Sequence, residues 1–317
     1  MPWMWGNGAG SFWGWNGGYL GIGLFAFSGE PFFENASQAG TLANFYTYIY
    51  DFSNGSITSG SNTYFSQYGG AATSTTTKGY FIAGGYIPTS GGIAGTTNTY
   101  TYTYSGNVVT TGPSLAYIAY YSNAAGNSTV GVFALGTGYG NTNVWKYSSN
   151  SVTAGSQLAF GPFQGQAAGN STAGYFSLGL QQRLIYVYTY ANNVVIQGTS
   201  LISSFALGAA FGNSTVGVFT GIDSASNSAT NETNAYLYSS NAVVVGSYLT
   251  VATNGGCSAT SNQNFGIVNT NISSINNGVN TITNKYVFSS GAVAISTAIP
   301  QSQSYGAASS SQNVGVF

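Results

Sequence analysis

The sequence predicts an all-β protein assembled from repeated four-stranded sheets, and three observations predict it. Short motifs recur in a fixed order along the chain. Strand-favouring Tyr, Val, Phe and Thr are interrupted at short intervals by turn-favouring Gly, Asn and Ser. Charge is almost absent, yet 15% of the 317 residues are aromatic, so the chain has the means to bury a core that disordered chains lack.

The first motif is an aromatic pair closing a strand: Tyr50 and Phe52, Tyr102 and Tyr104, Trp145 and Tyr147, Tyr188 and Tyr190, Tyr236 and Tyr238, Tyr286 and Phe288. The second follows a tight turn and spaces Val, Gly and Leu three apart, as in Val109, Gly112 and Leu115 or Val195, Gly198 and Leu201; Val293, Ser296 and Ile299 form a degenerate copy. The third is a Gly-Asn-Ser-Thr hairpin at residues 126–133, 169–176 and 212–219, ending in Gly-Val-Phe or Gly-Tyr-Phe. Gly79-Tyr80-Phe81 and Gly315-Val316-Phe317 are looser versions. Successive second aromatics lie 52, 43, 43, 48 and 50 residues apart, the length of a propeller blade.

Each repeat reads as four short antiparallel strands: a (Ala-Ala-Gly-Asn), b (Gly-Val-Phe), c (Tyr-x-Tyr-Ser) and d (Val-x-x-Gly). Both faces of such a sheet must pack on neighbouring sheets, which accounts for the density of Tyr, Phe and Val. The expected fold is a β-propeller. Segments of b type occur seven times, from Leu24-Phe25 to Val316-Phe317, but c and d segments only six times. Seven blades are therefore expected, the last made of residues 307–317 plus N-terminal residues, with six blades and an extra hairpin as the alternative. An N-terminal strand, drawn from residues before Trp13, is expected to close the ring and remove exposed sheet edges. Residues 1–16 then form a Trp-rich anchor or closure segment and residues 17–317 the propeller.

These residues resemble the kelch family of β-propellers, in which a strand ending in Gly-Gly precedes an aromatic Tyr-x-Tyr strand. The resemblance spans roughly residues 20–317. Gly-Gly survives at Gly84-Gly85, Ser replaces the family's Asp after the aromatic pair, and the outer-strand Trp is absent. The resemblance implies the architecture and not a common function. The degenerate repeats with Gly-Asn-Ser-Thr turns and low charge are also similar to kelch-type repeats in tail and fibre proteins of bacterial viruses, which implies a particle-borne attachment role.

Strand order sends the a–b and c–d turns to one side and the b–c and d–a connections to the other. The b–c connections vary, and are long near residues 28–44, 86–98, 221–234 and 269–283, so their face is the expected recognition surface. Its candidate ligand-binding residues are Glu30, Glu34, Tyr86, Asp223, Glu232 and Asn271. Trp3, Trp5, Trp13 and Trp15 are the candidate anchor to a partner subunit, because four such rings are costly to leave in water.

Catalysis has little to work with. The chain has no His, which removes Ser-His-Asp triads, imidazole bases and His-held metals, so no catalytic residue, metal or cofactor is expected. Glu30 and Glu34 are the only sequence-local pair of acids for a glycosidase. Lys78, Lys146, Arg183 and Lys285 share no repeat position and form no anion site. A net charge of −1 argues against a nucleic-acid partner. No apolar run is long enough to span a membrane, and Met1-Pro2-Trp3-Met4-Trp5 lacks the pattern of a secretion signal. Cys257 stands alone and is expected to be buried. Sequons at Asn35, Asn54, Asn127, Asn170, Asn213, Asn231 and Asn271 are read first as turn chemistry.

The resulting expectation is a non-enzymatic attachment module at a virion or extracellular surface, recognising a host glycan or surface protein through the b–c face. Other subunits of the particle, including copies of itself, are the remaining expected partners. A structural decoration or scaffold subunit is the alternative, and a His-free glycan-degrading enzyme the second alternative.

Overall fold

The computed structural model describes residues 23–28, 47–61, 70–82, 85–86, 94–119, 121–136, 140–162, 164–179, 182–226, 228–253, 256–270, 272–274, 278–280, 282–299, 304–311 and 314–316. Every helix or strand among them is a β-strand.

Five sheets have four antiparallel strands in simple a-b-c-d order, as the repeat predicts. Blade 1 comprises Ala71–Ser74, Lys78–Ile82, Thr99–Thr103 and Val108–Thr111. Blade 2 comprises Asn123–Gly126, Val130–Ala134, Thr142–Lys146 and Ser151–Ala154. Blade 3 is Ala167–Gly169, Ala173–Ser177, Ile185–Thr189 and Val194–Gln197. Blade 4 is Phe205–Gly212, Val216–Asp223, Thr233–Leu237 and Ala242–Val245. Blade 5 is Ser258–Ser261, Phe265–Asn269, Thr283–Val287 and Val293–Ser296.

The sixth sheet joins distant parts of the chain. It contains Gly23–Ser28, Thr47–Asp51, Ile57–Ser59, Ser304–Ser311 and Val314–Val316. The inner strands of blades 1 to 5 neighbour one another in sequence order, and Ser304–Ser311 lies between those of blades 5 and 1, which closes the ring. Among the described residues the ring thus holds six sheets, five of them four-stranded blades, and not the expected seven; two small two-stranded hairpins stand apart from it. The two b-type segments that suggested an extra blade, around Leu24 and around Val316, belong to one sheet. An early strand, Gly23–Ser28, does pair into the closing sheet; the expected closing strand before Trp13 and the segment 1–16 lie outside the described residues.

The hydrophobic core is divided among the interfaces between blades. One cluster joins Phe81 and Ala72 of blade 1 to Ile49 of blade 6, another joins Ile82 and Leu135 across blades 1 and 2, and the pattern continues round to Tyr50 and Ile267 between blades 6 and 5. Burial on both faces explains why strands b and c alternate so weakly in polarity.

The aromatic pair of strand c locks these interfaces. The first aromatic donates to an Asn five residues on: the hydroxyls of Tyr102, Tyr188 and Tyr236 bond Oδ1 of Asn107, Asn193 and Asn241, and Trp145 Nε1 bonds Asn150 Oδ1 at 3.1 Å. Those four Asn adopt positive φ of 48° to 57°, and Gly55 and Gly291 take the same place in blades 6 and 5. Asn tolerates this conformation and supplies an acceptor, so it closes the c–d turn where Gly only permits it. The previous blade joins in, with Ser156 N–H donating to Asn193 Oδ1 at 3.0 Å.

The second aromatic reaches between inner strands, over the Gly of strand b. A Cβ on Gly131 would lie 2.6 Å from the Tyr147 hydroxyl and 2.4 Å from Thr73 Oγ1, so only Gly admits that hydroxyl. Tyr147 donates to Thr73 Oγ1 at 2.7 Å, whereas the buried hydroxyls of Tyr190 and Tyr238 have no partner among the described residues. Burial pushes all three phenols well above their ordinary pKa of 10.0.

Tyr147→Phe is expected to cost about 1 kcal/mol in urea unfolding because it strands Thr73, while Tyr190→Phe leaves stability unchanged or raises it, since it removes an unpaired buried hydroxyl. A second expectation concerns pH. Folded phenols hold their protons to higher pH than unfolded ones, so their contribution is intact below the ordinary value of 10.0 and is lost as pH rises through the folded values. The melting temperature should stay nearly flat from about pH 5 to 9, where no histidine titrates, and fall above about pH 10 together with the rise of phenolate absorbance.

Candidate functional site

The inner strands of blades 1 to 5 line an axial cavity of about 90 Å3. The repeat register assigns its lining. One level carries Ala in each of blades 1 to 5, namely Ala72, Ala124, Ala167, Ala210 and Ala259, and the register of the sixth sheet puts Ala308 at the same level.

Below that level the residues diverge. Asn123, Gln166 and Ser258 occupy one level, and Ser122, Gly165, Gly208 and Cys257 the next. Gly208 is obligatory, since a Cβ there would sit 1.8 Å from the Thr220 carbonyl oxygen. At the lip, Tyr121, Gln164, Leu207 and Gly256 hold equivalent positions with φ of 47°, 60°, 50° and 65°. Three non-glycine residues in this region are uncommon, and Leu most of all. The compensation is visible: Leu207 N–H donates to the Gln164 carbonyl at 3.0 Å and Cys257 N–H donates to the Leu207 carbonyl at 3.3 Å. The left-handed residues turn their backbone tangentially and stitch neighbouring blades around the mouth.

Among the described residues the lining is uncharged and more apolar than polar, with Asn123, Gln164, Gln166, Ser122 and Ser258 as its polar side chains. Among the described residues, buried Gln166 has no partner for either amide atom, and the buried hydroxyls of Ser122 and Ser258 likewise have none. Buried amides and hydroxyls without partners are rare, and an ordered water or a ligand is one way to complete their bonding. Asn123 is already engaged, with Nδ2 donating to the Pro162 carbonyl at 3.0 Å. Among the described residues no three His, Cys, Asp or Glu side chains gather as a metal would need. The lining can bind through neutral hydrogen bonds, and it holds no carboxylate or imidazole for proton transfer.

The mouth lies on the b–c face. Asn123 pairs with Ala134, the last residue of its strand b, so the start of each inner strand and the b–c connection leave the blade at the same end. Bridges Thr96 to Ala119 and Thr230 to Thr253 tie the b–c connections of blades 1 and 4 to their d–a connections. Two long connections contain hairpins of their own, Gly85–Tyr86 with Ala94–Gly95 and Ile272–Ser274 with Gly278–Asn280.

Of the sequence candidates, Tyr86 falls in the first of these hairpins. Asp223 ends strand b of blade 4 and closes its own turn, accepting from Ala225 N–H at 3.0 Å and Ser226 Oγ at 2.6 Å; those bonds, the serine's first, hold its carboxyl below the ordinary value. Glu232 accepts from Ser203 Oγ at 2.9 Å and so ties blade 4 to the segment leaving blade 3. Both acids are thus engaged in holding connections in place. Glu30, Glu34, Asn271, Trp3, Trp5, Trp13 and Trp15 lie outside the described residues. The a–b sequons do perform turn chemistry. Asn127 Oδ1 accepts from Thr129 N–H at 2.8 Å and Val130 N–H at 3.0 Å, while its Nδ2 donates to the Ser171 carbonyl of blade 3 at 2.9 Å.

In comparisons with known proteins, no family model matches the chain and no curated protein matches it. The site therefore rests on geometry. Sequence reasoning missed Gln166, Ser122 and Ser258, whose only signal is their place just ahead of the recurring Ala of strand a, where the repeat stops being uniform.

Proposed function

We propose that this protein is a non-enzymatic binding module whose b–c face, centred on the axial cavity, recognises a neutral carbohydrate. The observation that carries the reading is that Gln166, Ser122 and Ser258, whose amide and hydroxyls have no partner among the described residues, line one uncharged cavity. Sugars present paired donors and acceptors with little charge, which such a lining complements. The hairpins and variable connections around the mouth supply further contact. Attachment of a virion or cell-surface structure to a host glycan is the biological setting we favour, on the strength of the resemblance to kelch-type repeats of phage tail and fibre proteins.

A specific observation also favours the decoration or scaffold reading. Outer strands expose β-branched apolar side chains, including Ile196, Val245 and Ile295 at 58%, 58% and 63% exposure. Edge strands are more often blunted by charge, and here none of these strands carries any.

Two outcomes separate the readings. Gln166→Leu is expected to weaken binding to the best neutral glycan on an array by about tenfold or more, roughly the worth of one lost buried hydrogen bond, with an unchanged far-ultraviolet spectrum. Undiminished binding sinks the cavity reading. If the outer strands are assembly surfaces, Ile196→Asn combined with Ile295→Asn should abolish self-association in light scattering while leaving glycan binding intact.

A further inference from the structure

The sixth sheet contains one more strand than its architecture can hold. In blades 1 to 5 a Gly of strand b pairs with the first aromatic of strand c: Gly79 with Tyr102, Gly131 with Trp145, Gly174 with Tyr188, Gly217 with Tyr236 and Gly266 with Tyr286. In the sixth sheet the corresponding aromatic, Tyr50, pairs with two glycines, Gly23 and Gly315. One residue further on, Ile49 pairs with both Leu24 and Val316. On the opposite side Ser309 also pairs with both Leu24 and Val316. The strands Gly23–Ser28 and Val314–Val316 therefore register on the same position, between Ser304–Ser311 and Thr47–Asp51.

Adjacent strands lie about 4.8 Å apart in one layer, so that position admits one backbone at a time. The sequence supports the equivalence independently. Gly23-Leu24-Phe25-Ala26 and Gly315-Val316-Phe317 both match Gly131-Val132-Phe133 of blade 2, and the chain holds seven such segments for six sheets.

We propose that the second-strand position of the sixth blade is a two-donor slot, filled by Gly23–Ser28 in one conformer and by Val314–Val316 in the other. Val314–Val316 follows Ser304–Ser311, its neighbour on one side, after only two intervening residues and closes a short loop, whereas Gly23–Ser28 precedes Thr47–Asp51, its neighbour on the other side. The exchange requires both conformers to be populated. Exchange releases Gly23–Ser28 together with the tryptophan-rich sequence before it, or releases Val314–Val316, while the ring stays closed in both states. A displaced strand carries unpaired backbone donors and acceptors, so the exchange also governs which segment is free to add to another sheet edge.

Disulfide trapping tests this in the whole chain. Val132 and Val144, the blade 2 equivalents, lie between two backbone bonds, Tyr147 N–H to Thr129 and Leu135 N–H to Asn141, whose phase makes them a closely spaced pair. The matching variants, in a Cys257→Ser background, are Ile49→Cys with Leu24→Cys, Ile49→Cys with Val316→Cys, and all three together. Peptide mapping of the triple variant after mild oxidation should recover both disulfides from one monomeric population. Gly315→Val should then shift the population toward the disulfide that joins positions 24 and 49, and Gly23→Val toward the one that joins positions 49 and 316, because the matching Gly131 has no room for a side chain. A single disulfide in the triple variant that neither valine shifts overturns the proposal, and so do links that form between chains, seen as covalent dimers.

Discussion

Everything in this molecule depends on how closely six sheets can approach a common axis. The interlock that sets this distance is the Gly of strand b beneath the second aromatic of strand c. Removing the Cβ from Gly131 makes space for the Tyr147 hydroxyl, which in turn reaches Thr73 on the inner strand of the preceding blade. The same contact recurs where Tyr190 lies over Gly174 and Tyr238 over Gly217. Small residue and large ring are two halves of one device, and neither explains the packing alone.

A second constraint follows from the first. A core divided into six thin interfaces buries hydroxyls and amides along with rings, so polar atoms must find partners between blades instead of water. The chain does this with neutral groups. Asn234 Oδ1 accepts from Ile202 and Ser203 N–H of the preceding segment, Asn143 accepts from Ala116 N–H at 2.8 Å, and Thr250 N–H bonds Asn284 Oδ1 at 2.9 Å. Asn carries donor and acceptor on a short stem, takes left-handed conformations, and incurs no charge desolvation. That is a physical reason for a 317-residue protein with only nine charged side chains, four cationic and five acidic. The axial cavity is an extension of the same neutral chemistry, lined by Gln166, Ser122 and Ser258.

Ring closure is where repetition ceases to be self-sufficient. Each of blades 1 to 5 takes its four strands from one stretch of chain, in order, with short turns between most of them. The sixth must gather strands separated by more than two hundred residues, from Ile57–Ser59 to Ser304–Ser311, and the closing position attracts two equivalent segments. Sequence similarity among repeats, which specifies the other blades without ambiguity, is what creates the competition here.

The sequence by itself determined the strand-by-strand content of the blades. Tyr-x-Tyr, Val-x-x-Gly and Gly-Val-Phe are local patterns, and local alternation with turn residues at fixed offsets is enough to specify strands, hairpins and their order. It also showed that the b–c connections share a face, and that Asn127 serves its turn before anything else. The tertiary structure alone decided the number of sheets, because assigning Leu24 and Val316 to one sheet or two depends on pairing across nearly the whole chain. It alone revealed the cavity, since Gln166 and Ser258 lie in different blades and meet only when the ring is complete, and it alone showed Asp223 and Glu232 engaged in local bonds. Periodicity records what a residue's neighbours along the chain require. It is silent about partners brought together by closure, where a contact is set by the sum of all the blades between.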